Sequence, residues 1–155
     1  LATRSTEVIM NFKNLKLKDY NFTFTVASRW RDMDAIGHIN NETILSYFED
    51  VRVRYLSSLS IDINSKSESN SVILASMKID YYRQVNYPDI FDVGCRIIRI
   101  GTKSFDLLSS IFLKDSDKTL VSGLFTIVCF DYVEQKTIIV PDIIKNQLNP
   151  IVDQI

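Results

Sequence analysis

One stretch of helical periodicity, set among runs of extended chain, limits what this sequence can fold into. Ile44, Phe48, Val51, Tyr55 and Leu59 follow one another at spacings of four, three, four and four residues, with Leu45 and Leu56 beside them. That is one apolar face of an α-helix. Asn40 stands where a side-chain oxygen caps the first turn, Glu42 puts negative charge near the positive end of the helix dipole, and Asp50 and Arg54 form an i,i+4 pair. The pattern predicts a helix over about 41–58. Ahead of it, Phe22, Phe24 and Val26 alternate with polar or small neighbours, the period of a half-buried strand that ends near Trp30. Behind it, after a Ser- and Asn-rich loop over 61–71, come four extended runs near 72–83, 90–100, 103–114 and 119–132. The breaks between them, at 86–89, 101–102 and 114–118, carry turn chemistry. Alternation puts Ile73, Ala75, Met77, Ile79 and Tyr81 on one face of the first run, and Phe91, Val93, Cys95 and Ile97 on one face of the second.

A strand, a long helix and four more strands bury their apolar surfaces most compactly as one antiparallel sheet wrapped around one helix, an α+β arrangement. With 155 residues the chain is expected to be a single domain, with a core over about 20–133 and a tail over 134–155. In that tail Ile143, Ile144 and Leu148 suggest a short helix between Pro141 and Pro150. One helix covers only one face of a sheet. The other face and the edges are expected to be open, so the chain should associate at least as a dimer through sheet edges.

Composition removes whole classes of chemistry. Lys and Arg total 18 against 19 Asp and Glu, so there is no electrostatic footprint for nucleic acid. The mean hydropathy is +0.02, and the apolar runs fall well short of the ~20 residues that span a bilayer. The first ten residues hold no apolar segment of the kind a secretory signal needs, which makes a cytoplasmic location the expectation. His38 is the one histidine, so HExxH and zinc-finger patterns are impossible. The four glycines form neither a phosphate-binding loop nor a nucleophile elbow. Cys95 and Cys129 sit in apolar runs without CxxC spacing and read as buried thiols. No metal or redox cofactor is expected.

What remains is the polar segment before the helix, where Asp32, Asp34, Gly37, His38, Asn40 and Asn41 crowd into ten residues. A helix N-terminus offers unpaired N–H groups and about half a positive charge, which stabilise an oxyanion without a cationic side chain. Gly37 lets the chain turn with positive φ, and Asp34 is placed to act as base or nucleophile. Taken as an isolated loop residue, Asp34 reads instead as a turn carboxylate bonded to its own loop or paired with Arg29 or Arg31.

The run Arg29-Trp30-Arg31-Asp32-Met33-Asp34-Ala35-Ile36-Gly37-His38-Ile39-Asn40-Asn41, followed by Tyr47-Phe48-Glu49-Asp50-Val51-Arg52, resembles the signature of hotdog-fold acyl-CoA thioesterases of the 4-hydroxybenzoyl-CoA thioesterase-like branch. Tyr82-Arg83-Gln84-Val85-Asn86-Tyr87-Pro88-Asp89 and Ile100-Gly101-Thr102-Lys103-Ser104-Phe105 extend the resemblance over about 22–132. The resemblance implies a hotdog fold, a curved antiparallel sheet of about five strands around a long central helix, assembled as homodimers or homotetramers with sites at the subunit boundary. It implies hydrolysis of acyl-CoA thioesters. Asp34 would be the catalytic carboxylate, the Asn41 N–H the group polarising the carbonyl, and His38 and Asn40 a polar pair orienting acid, water or acyl group. Arg83, Lys103 and Ser104 would contact the coenzyme A part of the substrate, where cations suit phosphate. Outside the resemblance, Arg83 and Lys103 read as ordinary exposed cations. Hydrolysis of acyl-carrier-protein thioesters and acyl-CoA binding without turnover are the alternatives.

Overall fold

A computed structural model of the chain describes residues 11–61 and 69–152. The first strand, β1 (Phe22–Ala27), leads through a 3-10 turn (Trp30–Asp32) into α1 (Asn41–Ser58), and four long strands follow: β2 (Ser71–Tyr81), β3 (Ile90–Ile100), β4 (Ser104–Leu113) and β5 (Thr119–Asp131). A two-residue strand, β6 (Lys136–Thr137), and a single helical turn, α2 (Asp142–Lys145), complete the order. Every strand pair is antiparallel, the sheet runs β1-β3-β4-β5-β2, and β6 pairs the end of β5. This is the hotdog arrangement. The helix begins and ends where periodicity placed it. Most of the loop expected over 61–71 lies outside the described residues, and its last residue, Ser71, opens β2.

The concave face of the sheet holds the main core. Ile44, Phe48, Val51, Tyr55 and Leu56 of α1 pack on Phe91, Val93, Cys95 and Ile97 of β3 and on Phe105, Leu107, Phe125 and Ile127. At roughly 1.5–3 kcal/mol per fully buried large apolar side chain, this contact dominates what holds helix to sheet. Both cysteines are buried and free, as expected.

Two expectations need correction. Ile73 does not share a face with Met77, Ile79 and Tyr81, because the register slips between Leu74 and Ser76. The extra residue in this bulge reverses the alternation: Val72 and Leu74 lie opposite Cys129 and Ile127 of the concave face, while Ile73 lies opposite Val128. The convex face is not left open either. Phe12 and Tyr20, from the segment before β1, cover Ile98, Leu108 and Phe112 there. Gly94 makes room for this cover, since a Cβ at that position would stand 2.6 Å from Tyr20 Cγ. Beneath it the Arg96 guanidinium donates to the carbonyls of Asp19, Asn149 and Pro150, tying both ends of the described chain to the sheet. In the tail, Ile143 and Ile144 are helical, whereas Leu148 bridges to Ile97 in parallel.

The edges are unequal. β1 is short and alternates half-buried with exposed residues. β2 is long, and Leu74, Met77 and Tyr81 on its concave side are 40%, 49% and 48% exposed, because α1 lies over β3, β1 and β4. Among the described residues no helix is long and apolar enough to cross a membrane.

Candidate active site

The segment between β1 and α1 is a tight loop held by its own backbone. Met33 and Ile39 pair across it, the Asp34 N–H donates to the His38 carbonyl at 2.7 Å, and the Gly37 N–H donates to the Asp34 carbonyl at 3.2 Å. Gly37 has φ of 85°, the left-handed region that glycine enters without steric cost. Asp34 Oδ1 accepts the N–H groups of Ile36 at 3.0 Å and His38 at 3.1 Å. Its Oδ2 takes no hydrogen bond among the described residues. The turn reading of Asp34 is therefore correct for one oxygen and leaves the other unused.

Asn40 closes the loop onto α1. Its N–H donates to the Asp32 carbonyl at 2.8 Å, and its Oδ1 accepts the Glu42 N–H at 2.9 Å. The cap expected of Asn40 is thus present, and it spends the side-chain oxygen. The Asn41 N–H, first in the helix, has no acceptor among the described residues.

A cleft of about 390 Å³ opens over these groups. Asp34, His38, Asn41 and Ile44 form one wall, and 81–85, the chain leaving β2, forms the other. The walls are joined where the Ile39 N–H donates to the Val85 carbonyl at 2.8 Å and His38 bridges to Asn86. Tyr81, Arg83 and Gln84 stand on the second wall.

The structure thus gathers Asp34, His38, Asn41 and Arg83 in one cleft, whereas Asn40 is exposed, caps the helix and is not part of the cleft walls. It does not bring Lys103 and Ser104 to them within one chain. Lys103 ends the turn between β3 and β4, with its carbonyl accepting the Cys129 N–H, and Ser104 opens β4, with its Oγ accepting from Arg99 at 3.3 Å. Register sets the separation. The cleft lies at the end of the sheet where Ala27 faces Ile90 and Tyr81 faces Val121, whereas Ser104 faces Val128 at the other end. With a rise of ~3.4 Å per residue along β4, the two ends are on the order of 30 Å apart.

Sequence reasoning placed Asp32 in the polar cluster but missed its partners and its role. Asp32 is only 2% exposed, and its Oδ2 accepts the Tyr47 hydroxyl at 2.6 Å and the Arg29 N–H at 2.8 Å. The Arg29 guanidinium approaches Oδ1 at 3.2 Å, so Arg29 pairs with Asp32 and not with Asp34. Burial alone would raise the Asp32 pKa, but these hydrogen bonds and the Arg29 charge outweigh it and hold the carboxyl below its usual range. The same contact, after burial, pushes the Tyr47 hydroxyl well above its ordinary value. Asp32 and Tyr47 are fifteen positions apart, with no period to connect them; the only local signal was the i,i+3 spacing of Arg29 and Asp32. Among the described residues no three His, Cys, Asp or Glu side chains converge to hold a metal ion.

Comparison with known proteins identifies the family. A family described as the thioesterase-like superfamily matches residues 28–148. An uncharacterized protein of Bacillus subtilis (strain 168), YsmA, is 31% identical over 88 residues, which span 57% of this chain and 58% of that protein. The long-chain acyl-CoA thioesterase FadM of Escherichia coli (strain K12) is 22% identical over 127 residues, 82% of this chain and 96% of that one. A crystal structure of a thioesterase from Thermus thermophilus, complexed with coenzyme A and Zn, superposes with a TM-score of 0.73 at 26% identity, covering 84% of this chain and 93% of its own.

Proposed function

The chain belongs to the thioesterase-like superfamily, and from that premise we propose that it hydrolyses acyl-CoA thioesters in the cleft between Asp34 and the start of α1. The observation carrying this reading is the division of labour at Asp34: one oxygen holds the loop, and the other, unspent among the described residues, belongs to the same cleft as the Asn41 N–H, which has no acceptor among them. In the proposed reaction the thioester carbonyl oxygen accepts the Asn41 N–H, aided by the roughly half positive charge of the helix end. Asp34 Oδ2 takes a proton from a water as that water attacks the carbonyl carbon. The oxyanion so formed collapses and expels coenzyme A as thiolate, which takes up the proton that Asp34 received. His38, on the same wall, orients acid and water. FadM acts on long-chain acyl-CoA and the Thermus thioesterase binds coenzyme A, which supports coenzyme A over a carrier protein as the donor.

The proposal includes a second copy of the chain. The long, apolar β2 edge is the kind of strand that proteins cover, and the cleft wall at 81–85 continues directly from it. Pairing through β2 would put the cleft at the boundary between copies. A second copy is also the source from which Lys103 and Ser104 would reach a coenzyme A whose own chain holds them at the far end of its sheet. A thiol-release assay over acyl-CoA esters of graded length, beside the same acyl groups on a carrier protein, tests the reading. Release from at least one coenzyme A ester, faster than from its carrier-protein counterpart, is expected. Tight acyl-CoA binding with no thiol released would make the protein a binder instead.

A further inference from the structure

Asp32 and Tyr47 lie outside the cleft, yet they join the two pieces of backbone that make it. The Asp32 carboxylate accepts the Tyr47 hydroxyl from the second turn of α1 and the Arg29 N–H from the start of the loop. The Asp32 carbonyl accepts the N–H of Asn40, the residue capping the helix. One residue is therefore bonded at once to the helix body, the helix cap and the loop, and Asp34 is only two positions further along the chain. So short an arm leaves few torsions to absorb a shift. Movement of Asp32 relative to α1 passes directly into the separation of the Asp34 carboxylate and the Asn41 N–H.

We infer that the Arg29–Asp32–Tyr47 network is a positioning device for the hydrolytic site, fixing the Asp34 carboxylate against the Asn41 N–H without touching substrate. The inference rests on the hydrolytic reading above. Buried, charge-assisted hydrogen bonds suit the task because their short, directional geometry resists displacement. Reaction rates are sensitive to such geometry: a misplacement of ~1 Å costs about 10²-fold.

The test compares two tyrosine variants. Tyr47→Phe removes the hydroxyl bond to Asp32 at 2.6 Å and leaves the Arg29 pair in place. Tyr20→Phe removes an equally short buried bond, to Ser110 at 2.6 Å, on the convex face. In Tyr47→Phe, kcat is expected to fall about 10- to 100-fold with KM within about twofold. Tyr20→Phe should lower Tm to a similar extent and leave kcat unchanged. Asp32→Asn, which keeps shape but loses charge, should follow Tyr47→Phe in kcat. Amide hydrogen exchange over residues 34–41 reads the same positioning without substrate, and is expected to quicken about tenfold or more in Tyr47→Phe and to stay unchanged in Tyr20→Phe. Unchanged kcat in Tyr47→Phe, an equal fall in both tyrosine variants, or unchanged exchange over 34–41 would each overturn the inference. A wild-type chain that releases no thiol from any ester would sink the hydrolytic reading instead, and exchange alone would then decide whether the network positions the loop.

Discussion

Replacing Asp34 by Asn separates the two oxygens of this carboxylate. Asn retains a carbonyl oxygen that can accept the N–H groups of Ile36 and His38, now at 3.0 and 3.1 Å. Both bonds lose the charge on their acceptor, which weakens each by up to about half. On a half-buried loop the stability lost should be about 1 kcal/mol or less. The other oxygen becomes an amide NH2, which donates and has no basicity. A positioned general base is worth about 10²- to 10⁴-fold in rate, or about 2.7–5.5 kcal/mol of barrier. The two effects differ enough to be told apart. With saturating acyl-CoA, well below the melting temperature, kcat of Asp34→Asn is expected to fall by at least about 10²-fold while the urea midpoint barely moves. Asp34→Ala is the poorer variant, since it also strands two N–H groups. A kcat within about tenfold of wild type, in an Asp34→Asn protein of wild-type stability, would refute the assignment of Asp34 as the base.

Met77→Lys places a cation on the concave side of the β2 edge, at a residue 49% exposed in the single chain. Sedimentation should show the mass halved relative to wild type if copies pair there, and an unchanged mass would rule that pairing out. Acid unfolding should report on Asp32 and Asp106. Burial would raise both pKa values, but Tyr47 and Arg29 hold the Asp32 carboxyl low, and Arg99 and Thr126 do so for Asp106. A depressed folded pKa contributes stability that is complete above the unfolded value of about 4 and is lost as pH falls through the folded value. The urea midpoint should therefore drop below about pH 4, less steeply in Asp32→Asn; an unaltered slope would count against the Asp32 network. Burial pushes the Cys95 thiol up to about 12 and the Cys129 thiol up to about 11. At pH 8 neither should react with DTNB until the chain is unfolded, so thiol release in the activity assay would come from substrate; prompt reaction of the native protein would contradict their burial.

Features written in local periodicity were legible in the sequence. The helix at 41–58 and its buried face came from spacing alone, because one side of a helix recurs with the turn. The cap at Asn40 and the turn at Gly37 were equally local. Long-range partners were not legible. The bulge in β2 adds one residue to one strand, and nothing in the alternation of apolar residues records where the count slips. The cover over the convex face joins Tyr20 to Ser110 and Arg96 to Asn149, contacts that no window along the chain contains. At the candidate site, Asp34, His38 and Asn41 were found because they share ten residues. Lys103 and Ser104 were grouped with them by resemblance, and register holds them at the opposite end of the sheet from the cleft within one chain.

Two aspartates two positions apart have been given opposite surroundings. Asp32 is enclosed, with Oδ2 taken by Tyr47 and the Arg29 backbone and Oδ1 against the Arg29 guanidinium. A carboxylate so enclosed is out of reach of solvent water, and its lowered pKa makes it a weak base. Asp34 has one oxygen committed to two backbone N–H groups and lines a cleft that solvent enters. Of the pair, only Asp34 lines the cleft that also reaches Asn41 at the start of α1. Divergent environments thus separate an enclosed carboxylate from the cleft-lining one that the proposed reaction assigns as base, a distinction invisible in the string Asp-Met-Asp. It follows that exchanging the two roles would need more than exchanging side chains: a base at position 32 would first require a route for water past Tyr47 and Arg29, and opening that route would release the loop that presents Asp34.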